Sequence, residues 1–281
     1  MDHNDAAARP RERVLVTAEQ WYAGGERIPY DPDSARVLPG GPIRVFQRLV
    51  GADPGVDATW LTMLPGFPDG SYGWAQVDGM LGDDLGPRLY VEPVGQGDSD
   101  APRKYRYSTM ERADLVEALW RHHGVRRTVV VTFDYTSLAL LELLRRKAFN
   151  AAMLGARLYS RNYTPSEEEL AELRSAIIRR DGALFLHEAA GFVKEHRRHA
   201  QRWDLAAAAR DLPDVAIYVG GSDEDPYEHR QVDAARARVP GADVLTFPGG
   251  HLTTSEHPDL LAAAIRDIAS RHGVGPSKER R

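Results

Sequence analysis

The chain has 281 residues, with 41 acidic and 36 basic side chains and a net charge of -5. That balance gives no reason to expect a nucleic-acid partner, and the absence of cysteine excludes disulfides, thiolate catalysis and cysteine-ligated zinc. The opening "MDHNDAAARPRER" lacks the apolar core of a signal peptide, and no apolar run approaches the roughly 20 residues of a membrane helix, so a cytoplasmic globular protein is expected. Only four of the 36 basic residues are lysine, a bias that fits a GC-rich bacterial genome and says nothing about activity.

In chain order, "RVLVTAEQWYA" and "GPIRVFQRLVG" read as two antiparallel strands, "TWLTML" as a third and "RLYVEPV" as a fourth. "STMERADLVEALWRHHG" then carries a capping serine or threonine, an apolar stripe at helical spacing and Gly124 to end it. In "TVVVTFDYTSLALLELL", residues 128–144, Val129, Val130, Val131 and Phe133 read as a buried strand. Leu138, Leu141 and Leu144 recur at helical spacing, and Asp134 sits at the joint. The following "KAFNAAMLGARLYSRNY" contains no clear strand. "TPSEEELAELRSAIIRR" reads as a helix with a capping threonine and Pro165 in its first turn, and "ALFLHEAAGFVKEHRRHAQRWDLAAAAR" as a longer helical stretch interrupted at Gly191. "DVAIYVGG" and "ADVLTF" are strands, each followed by a helix.

Alternation of strands and helices predicts an α/β fold with a mostly parallel central sheet covered on both faces. The expected core comprises residues 13–158 and 213–273, with 159–212 inserted as a helical cap. Residues 1–12 and 274–281 are expected to be disordered tails. In such sheets the active site lies beyond the carboxyl ends of the strands. The segments found there are "PGFPDGSYGW", "GQGDSD", Asp134, "GGSDEDPYE" and "PGGHLTTSEHP". They place a carboxylate (Asp134), an acid (Asp223 or Asp225) and a histidine (His251) in the order nucleophile, acid, base.

With those segments in hand, the chain resembles the α/β-hydrolase superfamily, in the branch of haloalkane dehalogenases and epoxide hydrolases that uses an aspartate nucleophile. The family's His-Gly-X-Pro oxyanion loop is matched by Pro65-Gly66-Phe67-Pro68, and its Gly-X-Gly-Asp-Ser-Asp by Gly95 to Asp100. The elbow reads Phe133-Asp134-Tyr135-Thr136-Ser137. The terminal Gly-His and Glu-X-Pro are matched by Gly250-His251 and Glu256-His257-Pro258. The likeness runs from about Val14 to His272. It implies attack by Asp134 on an electrophilic carbon, hydrolysis of the resulting ester by water that His251 activates, and an acid orienting the imidazole. Backbone N–H groups of Phe67 and Tyr135 would form the oxyanion hole. Asp225 precedes a proline, as the family acid often does, whereas Asp223 has the commoner spacing from glycine; both stay open, with Asp225 preferred. The resemblance calls for a small-molecule substrate and for no cofactor or metal, and leaves the oligomeric state open.

Several residues depart from the pattern. Tyr135 replaces the halide-binding tryptophan and Phe67 a common asparagine, which argues against dehalogenation and leaves epoxide opening on a small apolar substrate. Pro65 replaces a histidine that usually braces the oxyanion loop, and Thr136 and Ser137 carry Cβ atoms where the elbow favours smaller residues. These changes motivate two alternatives: a hydrolase fold repurposed for a non-hydrolytic cyclisation or rearrangement, or a non-catalytic relative. Each assignment also has a structural competitor. Asp134 could be a helix N-cap, Ser99 of the string Gly97-Asp98-Ser99-Asp100-Ala101 lacks a helix after it, and His187, His196 and His199 read as a solvated face rather than a metal site. Tyr159 and Tyr163 are available in the cap, and Phe185, Phe192 and Trp203 read as core residues.

Overall fold

The computed structural model describes residues 15–32, 42–51, 58–103, 105–146, 153–154, 163, 165–179, 195, 198–225 and 229–275. Six strands, β1 Glu26–Tyr30, β2 Ile43–Val50, β3 Thr59–Leu64, β4 Arg88–Val91, β5 Arg127–Thr132 and β6 Met153–Leu154, form one sheet in the order β1-β2-β4-β3-β5-β6. β7 Tyr218–Ser222 and β8 Asp243–Phe247 pair in parallel. The helices are α1 Ala18–Ala23, α2 Ala75–Leu81, α3 Thr109–His122, α4 Thr136–Arg145, α5 Glu167–Ile177, α6 Leu205–Asp211, α7 His229–Arg238, α8 Thr253–Glu256 and α9 Pro258–Arg271, with a 3-10 turn at Ser71–Trp74.

The expected α/β architecture is present, and β3, β4, β5 and β6 run parallel while β2 runs antiparallel to β1 and β4. β3, β4 and β5 are buried almost throughout, as strands covered on both faces must be. Because successive side chains point to opposite faces, β5 feeds two cores. Val129 and Val131 pack with Leu61, Met63 and the α1, α2 and α9 side, whereas Val130 packs with Leu89, Leu115 and Leu140 on the α3 and α4 side.

Three readings of the elements are corrected. Residues Ala18–Ala23 of "RVLVTAEQWYA" are helical, because Thr17 and Gln20 form a reciprocal capping box that satisfies the first turn. The antiparallel partner of β2 is instead β1, which tolerates Pro29 because it lies at the sheet edge. The stretch with no clear strand supplies β6, two residues paired with Val130 and Val131, too short to show as a periodic pattern. The cap of α5 is Ser166, in a capping box with Glu169, so Pro165 precedes the cap rather than occupying the first turn. Thr164 lies outside the described residues, as do Tyr159, Phe185, Gly191, Phe192, His187, His196, residues 1–12 and residues 276–281. Val274, at the start of the expected tail, is buried.

The sheet order also fixes where a site can form. From β3 the chain returns through α2 to β4 on one side, and from β5 it moves through α4 to β6 on the other. Adjacent loops that leave in opposite directions open a crevice at the strand ends. Leu64 of β3 is paired with Thr132 of β5. Three residues on from the first and two on from the second stand Phe67 and Asp134.

Candidate active site

Asp134 is the only non-glycine residue with positive φ among the described residues, at 54°. A side chain with a Cβ adopts that backbone at a cost of order 1–2 kcal/mol, so neighbours must hold it there. They do so through the hydroxyls placed where the elbow favours smaller residues. Thr136 Oγ1 donates to the Phe133 carbonyl at 2.8 Å, and Thr132 and Ser137 share a hydroxyl bond of 2.9 Å. Ser137 N–H donates to the Asp134 carbonyl at 3.0 Å. Tyr135 occupies the cap position of α4 and its side chain makes no capping bond.

The Asp134 carboxylate faces the loop after β3: Phe67 N–H donates to its Oδ2 at 3.1 Å. Gly66 is required there by close approach, since an added Cβ would lie 2.4 Å from the Phe133 ring. Gln96 of "GQGDSD" braces this loop, donating from Nε2 to the Gly66 carbonyl at 2.9 Å. The rest of that turn is structural. Ser99 Oγ accepts from Phe46 N–H at 2.8 Å and donates to the Glu92 carbonyl at 3.0 Å, and Asp98 pairs with Arg179 at 3.1 Å.

His251 is buried, 4 % exposed, with its Nε2 4.0 Å from Asp134 Oδ1 and its Nδ1 3.1 Å from Asp225 Oδ2. The first distance is too long for a direct hydrogen bond and within reach of one shared water. The geometry separates the two acids. Asp225 is 2 % exposed and turned to the imidazole, whereas Asp223 is exposed and accepts the Gly249 N–H at 3.0 Å. Asp223 N–H donates to Phe247 and Glu224 N–H to Gly249, both at 3.0 Å, so the acid turn and the histidine loop are laced together. Glu256 adds a bond from the Gly250 N–H at 3.1 Å. Gly249 has φ 97°, and a Cβ there would lie 2.7 Å from Glu256. Phe133 packs against both the His251 ring, at 5.8 Å, and Trp74, at 6.2 Å.

Two charged groups beside this cluster were not singled out from the sequence. Asp69, two residues after Phe67, is buried, and burial and then the charge of Asp134 push its pKa up to about 7. Arg112 on α3 is also buried. Burial brings its pKa down to about 10, opposed by the charges of Glu111, Asp134 and Glu195. A signal existed for Arg112, since it lies on the stripe with Leu115, Val116 and Leu119 that faces the core. For Asp69 the signal was an acid inside a glycine-rich apolar loop.

In the inserted region Tyr163 donates to Glu169 at 2.7 Å, and Trp203 is buried, donating from Nε1 to Glu142 at 3.2 Å. His199 packs on Trp203 at 5.5 Å. No helix of the described residues is long and apolar enough to cross a membrane.

The sequence is 27 % identical over 283 residues to the putative hydrolase LipZ of Mycobacterium tuberculosis, covering 84 % of this chain and 96 % of LipZ. The fold matches the haloalkane dehalogenase DbeA of Bradyrhizobium elkani with a TM-score of 0.66 at 17 % identity, over 88 % of this chain and 98 % of DbeA. It matches a Vigna radiata epoxide hydrolase mutant with a TM-score of 0.65 at 12 % identity, over 89 % and 99 % of the two chains. At those identities the structural likeness is one of fold. The alpha/beta hydrolase family profile matches residues 63–264, which run from the end of β3 to the middle of α9 and include every residue of the cluster. The chain belongs to the alpha/beta hydrolase family.

Proposed function

We propose that the protein is an aspartate-nucleophile hydrolase that opens a small apolar epoxide through a covalent alkyl-enzyme ester. The observation that carries this reading is Asp134 itself. Its carboxylate stands on left-handed backbone, receives the Phe67 N–H at 3.1 Å and lies 4.0 Å from a buried imidazole. A buried histidine within reach of one water is the arrangement that the non-catalytic alternative lacks.

In the proposed reaction Asp134 attacks an epoxide carbon and breaks its bond to oxygen, giving the ester. His251 takes a proton from water, and the hydroxide attacks the ester carbonyl. Asp225, at 3.1 Å from Nδ1, holds the ring with its other nitrogen toward the water and stabilises the imidazolium. The Phe67 N–H, with that of Tyr135 as its proposed companion, stabilises the charge that develops on the carboxylate oxygen during hydrolysis. Such a donor typically contributes about 3–4 kcal/mol. Asp223 holds the histidine loop through Gly249 and takes no chemical part. Residues 159–212 serve as the cap over the pocket, and the reaction needs no metal or cofactor. A cytoplasmic location belongs to the same proposal.

One turnover in ¹⁸O-water tests the route. The expected diol contains an oxygen from the protein and none from solvent, because water attacks the ester carbonyl and leaves its label on the enzyme. Solvent oxygen in the first-turnover diol would reject the ester.

A further inference from the structure

We propose, on the basis of the epoxide reading above, that Asp69 is the acid that protonates the oxygen released when Asp134 opens the ring. The side chain is 8 % exposed, and among the described residues no group donates a hydrogen bond to it. A carboxyl that no group of the fold engages can give its proton to a bound molecule. Its position suits an acid. It follows by two residues the Phe67 N–H that touches Asp134. Its Cβ and Oδ2 lie against Gly73 of the 3-10 turn, 3.3 and 3.7 Å from where a Cβ on that glycine would be. Any side chain at 73 would crowd it.

The charged groups around it act in one direction. Asp134, on the elbow after β5, is the charge that bears on Asp69, and with burial it keeps the carboxyl protonated up to about pH 7. His251, after β8, and Arg112, on α3, bear on Asp134 from the other elements. Beside the carboxylate proposed to attack thus stands a carboxylic acid able to donate, the division of labour that ring opening requires.

The step balances without an added reactant. An Asp134 oxygen forms a bond to the epoxide carbon as the carbon–oxygen bond breaks. The departing oxygen takes the proton of Asp69, which becomes a carboxylate. Water then supplies one proton to His251 and its hydroxide to the ester. The released diol and the regained Asp134 carboxylate leave that proton to return to Asp69. Tyr163 donates its hydroxyl to Glu169 at 2.7 Å.

The test uses the full chain with His251→Ala, in which the ester forms and stays, so the gain in intact protein mass follows ring opening alone. With a small terminal epoxide such as styrene oxide, adding Asp69→Asn is expected to slow the gain by about 10²–10⁴-fold. Adding Asp69→Glu should restore much of the rate. In the His251→Ala parent the rate should fall as pH rises through about 7, where Asp69 ionises, and that limb should be missing with Asn at 69. Equal rates and equal pH profiles for the parent and the Asp69→Asn form would overturn the assignment while leaving the ester mechanism intact. A parent that gains no mass with any epoxide, as Asp134→Asn should, would remove the epoxide reading and this inference with it. A merely structural role predicts a lowered melting temperature in both 69 variants, with an unchanged pH limb, and would also overturn it.

Discussion

The two ends of helix α4 carry carboxylates in opposite circumstances. Glu142, near the last turn, is fully buried and receives Arg145 at 2.8 and 3.0 Å, Arg146 at 3.0 Å, Arg202 at 2.7 and 2.8 Å and Trp203 at 3.2 Å. Burial pushes its pKa up, but the bonds from Arg202, Arg145, Arg146 and Trp203 outweigh that and hold it well below the usual carboxylate range. Before the first turn, Asp134 stands on strained backbone with a second acid, Asp69, beside it and a histidine just beyond hydrogen-bond reach. The cationic end also suits the helix dipole. The difference teaches where each residue's role lies. A carboxylate surrounded by donors is finished and fastens one element to another, here α4 to the Arg202–Trp203 segment. The acids at the strained turn are the ones to which the proposed chemistry is assigned.

Four substitutions sharpen or break that contrast. Asp134→Ala should lower epoxide turnover by about 10⁴–10⁶-fold with little change in melting temperature, measured by diol release and thermal denaturation side by side. Near-normal turnover would erase the distinction between the two ends. Asp225→Asn should cost about 10³–10⁴-fold, because the imidazole loses the partner that fixes its tautomer. Asp223→Ala, in the same turn, should leave turnover roughly unchanged and lower stability by about 1 kcal/mol through the lost Gly249 bond. Glu142→Gln should behave in the reverse sense to Asp134→Ala. Chemical denaturation should show a loss of about 2–4 kcal/mol, since the two arginine forks lose their charge partner inside the protein, while any remaining folded enzyme keeps its rate of ester formation.

A further prediction concerns pH. Glu92 is buried, and burial, only partly opposed by bonds from Ser71, pushes its pKa up to about 7. A group with a raised folded pKa favours the folded state fully below its unfolded pKa near 4.5 and loses that contribution as pH rises to about 7. Glu92→Gln removes this titration. Its stability relative to the parent should therefore improve by about 2 kcal/mol between pH 5 and pH 8, as read from denaturant curves at the two values. A constant offset would mean that Glu92 ionises normally.

How much of this was legible in the sequence follows from the kind of signal each part leaves. The turn at Asp134 was plain, because Val129 to Phe133 and Leu138 to Leu144 have different periods and meet at one polar residue. The histidine loop was legible from two glycines before His251. α1 was misread since its period is buried in a short segment next to Val14 and Val16, and its capping box depends on a side-chain geometry that composition does not reveal. β6 was invisible because two residues carry no periodicity. Asp223 and Asp225 look alike in one dimension, and what distinguishes them is that one meets the imidazole and the other Gly249. Asp69 and Gln96 escaped notice for a different reason. Their work depends on loops from different strands coming together, Gln96 from after β4 onto Gly66 after β3, and no local pattern announces it.

The measurement that bears most directly on the account is the fate of solvent oxygen in the protein. After several turnovers of an epoxide in ¹⁸O-water, the peptide containing Asp134 should carry heavy oxygen in that carboxylate, and the peptides of Asp69, Asp223 and Asp225 should carry none. An unlabelled Asp134 peptide from enzyme that has made diol would contradict the account, because water would then have attacked the substrate rather than an ester of the protein.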